Sequence, residues 1–416
     1  MVVIMRRNLK HTSSLQRRSS LRIGAAAIVG VALFWGAQVN ASTSYRLTDL
    51  GNLGAYTNEF GTSRGAGASA INNVGDIVGF SWGSTGAEAF VWSPRSGMRG
   101  LGYLDPNNLP NPESWAAAIN SAGQTVGASV TQDHGDRAAF WSTTGQIESI
   151  AEVGGSRTDS YSYGTGINNS GMAVGYGFTA GDKVAFTWTA ADGTKLLRPQ
   201  PGFTVDGTGG INASGQFTGV AYDIIGRRSR AFIWDSADKI RLLDPLSSGE
   251  TFSAAVAINN AGTVVGRSID STTFSQHAFI WDTQTGMRDL GTLSEGLNEV
   301  FANAINNSGH VVGRAGEGAG DSRAFVWAAD LGMKDLNLLV DQDDPLHGLV
   351  TLDDATGIND LGQIVANAFY EGSPHAYLLT PVPEPGSVLL MLLGLPMVAS
   401  ARKYCPRPAA RRTSAF

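Results

Sequence analysis

The sequence predicts an all-β chain, and three observations carry that reading. A twelve-residue block recurs, as "ASAINNVGDIVG" from Ala68, "AVAINNAGTVVG" from Ala255, "ANAINNSGHVVG" from Ala302 and "ATGINDLGQIVA" from Ala355. Its isoleucine falls at 71, 119, 167, 211, 258, 305 and 358, so the period is 44 to 53 residues. Glycine numbers 53 while charged residues make up only 16%, the balance of a chain with many turns and few solvent-facing helices. Seven copies at such a period predict a propeller or a solenoid rather than a single irregular domain.

Four strands fit each unit, most clearly over residues 255–293. A short strand ends at Ile-Asn, a second is "TVVG", a third "HAFIWD" and a fourth "MRDLGTL". The first two are joined by Asn-Asn-x-Gly, whose residues tolerate the positive φ of tight hairpins. Asn72, Asn120, Asn168, Asn212, Asn259, Asn306 and Asn359 take the first place of that turn. A residue present in every repeat reads as structural, because an active site occurs once per chain. Each isoleucine is preceded by Ala or Gly, the small residues that crowded inner strands favour. Trp92, Trp141, Trp188, Trp234, Trp281 and Trp327 recur in the third strand, where large apolar rings would pack between neighbouring units.

The ends of the repeat region choose between ring and solenoid. The seventh unit stops after "HAYLL" at Leu379 without a fourth strand, and "YRLTDLGNLG" from Tyr45 matches the missing segment. A linear solenoid needs capping repeats instead. The prediction is therefore a seven-bladed β-propeller of four-stranded blades over residues 45–380, its last blade closed by the N-terminal strand.

Hydrophobic helices are expected to flank it. Residues 1–41 form a basic region, an apolar run of about 15 residues and a small-residue site, the pattern of a secretory signal peptide cut after Ala41. A retained anchor is the alternative, although the run is short of the ~20 residues a span needs. Arg17-Arg18 also faintly resemble a twin-arginine export signal. Residues 381–416 place Pro383-Glu384-Pro385 before an apolar run, Val388 to Ala401, and then Arg402-Lys403. This tail resembles the PEP-CTERM sorting signal, although Pro396 interrupts its apolar run and the chain continues beyond the basic pair. The resemblance implies recognition by an exosortase, transient membrane insertion and removal of the tail. The protein is then expected at the cell surface, outer envelope or exterior of a Gram-negative-type bacterium.

At "HAFIWD…MRDLGTL" the chain also resembles the HAF-repeat extracellular proteins. His277-Ala278-Phe279 match that tripeptide fully, and the other copies keep part of it. The resemblance implies a secreted repeat protein and hands over no catalytic residue. Of the 30 Lys and Arg, 11 lie in residues 1–41 and 386–416, where no acid occurs; residues 42–385 hold 36 acids against 19 bases, a formal charge of −17. Such a surface repels nucleic acid. The one cysteine, Cys405, lies in the tail, so the repeats carry neither disulfide nor thiol chemistry.

Chemistry is expected on the face carrying the second-to-third and unit-to-unit connections, which vary while the other turns repeat. Trp82, Trp115, Tyr161, Tyr163 and Tyr222 fall there and present faces suited to sugar rings, with packing beneath loops as the alternative. Asp341, Asp343 and Asp344, with Asp353 and Asp354, make a carboxylate-rich stretch of the kind Ca²⁺ takes, without the glycine of a calcium-binding EF-hand loop. The expected function is a non-catalytic binding or structural protein of the matrix or envelope, with polysaccharide as ligand. The alternative is a glycoside hydrolase or lyase, for which Asp133, Asp136 and Asp159 supply acids.

Overall fold

The computed structural model describes residues 44–58, 61–132, 135–150, 161–179, 182–235, 239–247, 249–270, 273–294, 297, 299–316 and 321–382. The signal site at Ala41, both terminal apolar segments and Pro383-Glu384-Pro385 lie outside the described residues, as do Asp133 and Asp159.

The described chain is all-β, apart from one 3₁₀ turn at Leu336–Leu339. It is built of four-stranded antiparallel sheets in a propeller-like arrangement. The unit at Glu250–Ile258 shows the plan, continuing through Val264–Asp270, Gln276–Asp282 and Gly286–Asp289. Register sets Ala255 against Gly266, Gly266 against Phe279 and Phe279 against Asp289, so the motif residues stack across the sheet. The other first strands are Ala66–Ile71, Ser114–Ile119, Ser162–Ile167, Phe203–Ile211, Val300–Ile305 and Leu352–Ile358. An eight-stranded sheet consists of two such units joined by a single parallel bridge, Ser229 to Phe252. The hairpin Ala55–Asn58 with Gly61–Arg64 stands outside the repeat and has no counterpart in its pattern.

The last sheet takes its fourth strand from the start of the repeat region. Tyr45–Asp49 pairs antiparallel with Ser373–Pro381, Tyr45 facing Pro381 and Asp49 facing Tyr377. His375 Nδ1 meets Asp49 Oδ2 at 3.1 Å across this junction, and His277 meets Asp289 at 2.8 Å in the unit two before it. The motif's His and Asp are thus a third-to-fourth-strand pair, reproduced between segments 326 positions apart.

Seven apolar clusters lie between consecutive sheets. One example joins Phe140 and Ile150 to Phe186 and Trp188 of the next unit. Another joins Leu50 and Leu378 of the last sheet to Phe90 and Trp92 of the first, so the packing returns to its start. The six repeated tryptophans are all buried. The indole N–H groups of Trp141, Trp234 and Trp281 have no partner, which makes apolar area their contribution. Arg241 lies over the Trp281 ring of the following unit at 4.8 Å.

The asparagine turns make the most regular polar contacts. Each Asn side-chain oxygen accepts the N–H groups two and four residues on, as Asn212 does from Ser214 and Gln216 at 3.1 and 3.0 Å. Each side-chain nitrogen donates to the backbone carbonyl of the same asparagine in the next unit. The chain of bonds runs Asn72 to Asn120, Asn168, Asn212, Asn259, Asn306, Asn359 and back to Asn72, at 3.0–3.3 Å. Positive φ falls on the turn's glycine, as at Gly262 (80°), and on none of the asparagines. Asparagine is therefore required for its amide and not for its backbone freedom. In three units the second amide hydrogen reaches a glutamine, Gln124, Gln216 or Gln363. His310 takes that place after Asn306, with its Nδ1 buried and unpartnered.

Removing one amide should be costly. Asn212→Ala strands the N–H groups of Ser214 and Gln216, and at about 1–3 kcal/mol per unsatisfied group the loss should be about 3 kcal/mol. Asn212→Asp keeps the acceptor, loses the donor to the Asn259 carbonyl and should also destabilise. Urea unfolding checks both, and a loss below about 1 kcal/mol from the alanine variant contradicts the account. Burial pushes the His310 pKa below its ordinary 6.5, against the opposing charge of Asp330. The unfolded chain therefore takes up this proton first, and stability should fall as pH drops below 6.5. His310→Gln should unfold at higher urea, and its midpoint should fall less than the parent's between about pH 7 and pH 5.

Candidate functional site

Two levels of the inner strands are candidates. At the turn level lies a cavity of about 170 Å³ lined by Ile71, Ile119, Ile167 and Ile211 with Asn72, Asn73, Asn120, Ser121, Asn168, Asn169, Ala213 and Asn260. No titratable side chain is among these residues, and the Asn72, Asn120 and Asn168 amides are committed to their neighbours. Nearby, the Asp360 carboxylate accepts from the Asn73 and Asn307 amides at 2.7 and 2.8 Å, which anchors it within the turns. This level holds the units in register, and the cavity lining itself offers no acid–base group.

The second level lies four to five residues upstream along each inner strand, about 13–16 Å away at strand rise. A β-bulge interrupts the first strand there, between Ala68 and Ala70 in the first unit and between Ala302 and Ala304 in the sixth. The bulge pushes an inner carbonyl towards the second strand. A Cβ on Gly79, Gly127, Gly175, Gly219, Gly266 or Gly313 would collide with it, which is why the second strand reads Val-Val-Gly or close variants. In the seventh unit Ala366 stands in this place, and there the first strand carries an additional irregularity between Leu352 and Asp354.

Immediately beyond those glycines the residues cease to repeat. Register pairs Gly67 with Phe80, Trp115 with Ala128, Tyr163 with Tyr176, Ala254 with Arg267, Phe301 with Arg314 and Asp354 with Asn367. Half-buried aromatic rings thus occupy the first three units, and charged side chains the last three. Tyr161, Tyr163, Tyr176 and Phe178 form one cluster, with centroids 4.4–5.5 Å apart. The Tyr163 hydroxyl donates a hydrogen bond to Asp136 Oδ2 on the preceding unit. Burial, then the Asp136 hydrogen bond and charge, push the Tyr163 pKa well above the ordinary phenol value. Burial also raises Tyr176, with Tyr161 and Asp136 adding to it. These phenols remain protonated hydrogen-bond donors. In the next gap Lys183 Nζ lies 3.6 Å from Asp206 Oδ1.

The sequence places its aromatic candidates in loops; the structure places most of them in strands. Trp82 ends the strand Ile77–Trp82, Trp115 lies in Ser114–Ile119, Tyr163 in Ser162–Ile167 and Tyr222 in Phe217–Asp223. Tyr161 immediately precedes its strand. Trp82 stands apart from the cluster, stacked on Tyr56 at 6.0 Å and 18°. Tyr222 pairs with Thr204 and Ser229.

The acidic stretch does not form a ligand set. Asp344 is buried, and its two oxygens accept from Leu47 N and Leu346 N at 2.8 Å, tying the chain-closing strand to the 341–350 loop. Asp341 accepts from Asp343 N and faces Arg46 at 3.8 Å. Among the described residues no group of three or more His, Cys, Asp or Glu side chains could hold a metal ion. Two serines meet the Gly-x-Ser-x-Gly spacing, Ser63 in Gly61–Gly65 and Ser81 in Gly79–Gly83. Both sit within strands, and Ser81 is buried with its hydroxyl bonded to Gly65 O and Leu53 N. Neither occupies the strand-to-helix turn that exposes such a nucleophile.

Residues 248–390, about a third of the chain, match a family described as "Protein of unknown function (DUF3466)". No curated protein matches the sequence. Among solved structures, one from a study of two prolyl endopeptidases is 12% identical with a TM-score of 0.51, over 78% of this chain and 51% of that one. The chain thus spans about half the length of that structure. A gluconolactonase from Xanthomonas campestris is 11% identical (TM-score 0.36, 82% and 95% covered). A Trypanosoma rangeli sialidase with the inhibitor DANA is also 11% identical (TM-score 0.39, 86% and 62% covered). At these identities the likeness is one of fold.

Proposed function

We propose that the seven units are the blades of a ring-closed β-propeller, and that it binds extracellular polysaccharide without chemical turnover. The observation that carries this reading is the row of half-buried aromatic residues, Phe80, Trp115, Tyr163 and Tyr176, at one level of the first two strands of the first three units. Aromatic faces suit the apolar C–H faces of sugar rings, and the protonated Tyr176 hydroxyl suits their oxygens, the Tyr163 proton being given to Asp136. The cycle of asparagine bonds and the shared apolar clusters support seven blades in a ring.

In this reading the chain is exported, cut after Ala41 and sorted to the cell surface by an exosortase acting at Pro383-Glu384-Pro385. The terminal sequence patterns and the HAF-type repeats support it. Hydrolysis or lysis of the polysaccharide is the competing function. Against a tyrosine nucleophile stands the raised Tyr163 pKa, which keeps the phenol in its unreactive form.

Two experiments test these statements. Isothermal titration with polysaccharide fragments should show binding that Trp115→Ala weakens about tenfold, about 1.4 kcal/mol, and that Trp82→Ala leaves unchanged. Thermal midpoints of both variants check that they fold. Equal binding by the parent and Trp115→Ala overturns the site, and new reducing ends or unsaturated sugars overturn the absence of turnover. Mass spectrometry of surface-extracted protein should find a C-terminus near residue 385; an intact Phe416 overturns the sorting proposal.

A further inference from the structure

On the charged side of the same level stand two arginines in equivalent positions of neighbouring units. Arg267 and Arg314 each follow the glycine at the bulge, Gly266 and Gly313. Both guanidinium groups lie over the Phe301 ring, at 5.4 and 4.2 Å from its centroid, and Arg267 also lies 5.4 Å from Phe252. Phe301 is buried while both arginines are half-buried. Neither guanidinium makes a hydrogen bond or salt bridge among the described residues.

The carboxylates around them accept hydrogen bonds from neutral amides and meet the arginines only through space. Glu299 accepts from Gln276 Nε2 at 2.9 Å, and Asp354 accepts from Asn303 Nδ2 at 2.6 Å. Burial lowers the Arg267 pKa and the Arg314 charge lowers it further, with Glu299 opposing, so the two cations repel within a partly desolvated space. The two adjacent cations are offset only through space by Glu299 and Asp354, with no hydrogen bond to either, and keeping them together is costly in the unoccupied protein. Their planar forks carry donors matched to a carboxylate, and stacking on Phe301 orients them in advance.

We propose that Arg267 and Arg314 bind the carboxylate of a uronic-acid unit, so that the polysaccharide bound here is an acidic one. This rests on the polysaccharide reading above and names the ligand class for that site. The aromatic side holds sugar faces, and the arginine side selects chains bearing a carboxylate.

The test is isothermal titration of the purified protein with galacturonate oligomers, neutral galactose oligomers of equal length, sulfated galactose oligomers and free galacturonate. The parent should bind the galacturonate oligomers at least about tenfold more tightly than the neutral or sulfated ones, with a preference that shrinks at high salt. Arg267→Gln and Arg314→Gln should each remove most of that preference and leave neutral binding unchanged, whereas Trp115→Ala should weaken both. Arg314→Lys keeps the charge without the fork and should fall between; it also replaces Arg314→Gln if that variant fails to fold. Equal binding of neutral and uronate oligomers overturns the proposal and leaves the polysaccharide reading standing. A preference for sulfated oligomers overturns the carboxylate assignment. Free galacturonate binding that is lost in the arginine variants, with no oligomer bound, overturns the polysaccharide reading and supports the anion site. No binding of any probe overturns both.

Discussion

The architecture depends on one amide used seven times. Within its own turn each asparagine oxygen takes two backbone N–H groups that the hairpin would otherwise leave unpaired, and its nitrogen crosses to the next unit's carbonyl. Local turn geometry and the spacing between sheets are thereby set by a single side chain. The interaction is uncharged, so it avoids the desolvation cost of a buried ion pair, and it is nearly insensitive to salt. Because Asn359 returns to Asn72, each of the seven asparagine amides has a carbonyl to donate to.

That constraint fixes where variation is tolerated. Below the bulge, the inner strands must carry Ala or Gly before Ile and an amide after it. Above the bulge, register with the second strand is renewed, and neighbouring side chains no longer answer to the turn. Half-buried rings collect in the first three units, and charged groups, two of them over the buried Phe301 ring, in the last three, within a scaffold that is otherwise nearly uniform. The asymmetry belongs to the level where the polypeptide is free to differ, which is where a ligand can be distinguished.

The repeat made much of the scaffold legible. The asparagines, the small residues before each Ile and the tryptophans recur because every unit needs them, and the match of "YRLTDLG" to "MRDLGTL" revealed the closing strand. The glycine of Val-Val-Gly was harder to read, since only the bulge shows that a Cβ would meet an inner carbonyl. The strands around Trp115 and Tyr163 escaped notice because a bulge breaks the alternation that marks a strand, and those around Trp82 and Tyr222 because they run past the Val-Val-Gly block into residues that do not repeat. Asp344 looked like part of a cation site and instead holds Leu47. The pair of Arg267 and Arg314 gave no signal in one dimension, because 47 residues separate them and only adjacent units bring them to one ring.

The strand Ser373–Pro381 is held on both edges, by Ile364–Tyr370 and by Tyr45–Asp49, and Val382 N bonds back to Ser44 O at 2.8 Å. Tension applied at Val382 along the strand axis therefore loads two ladders in shear, whose bonds must yield together instead of peeling one at a time.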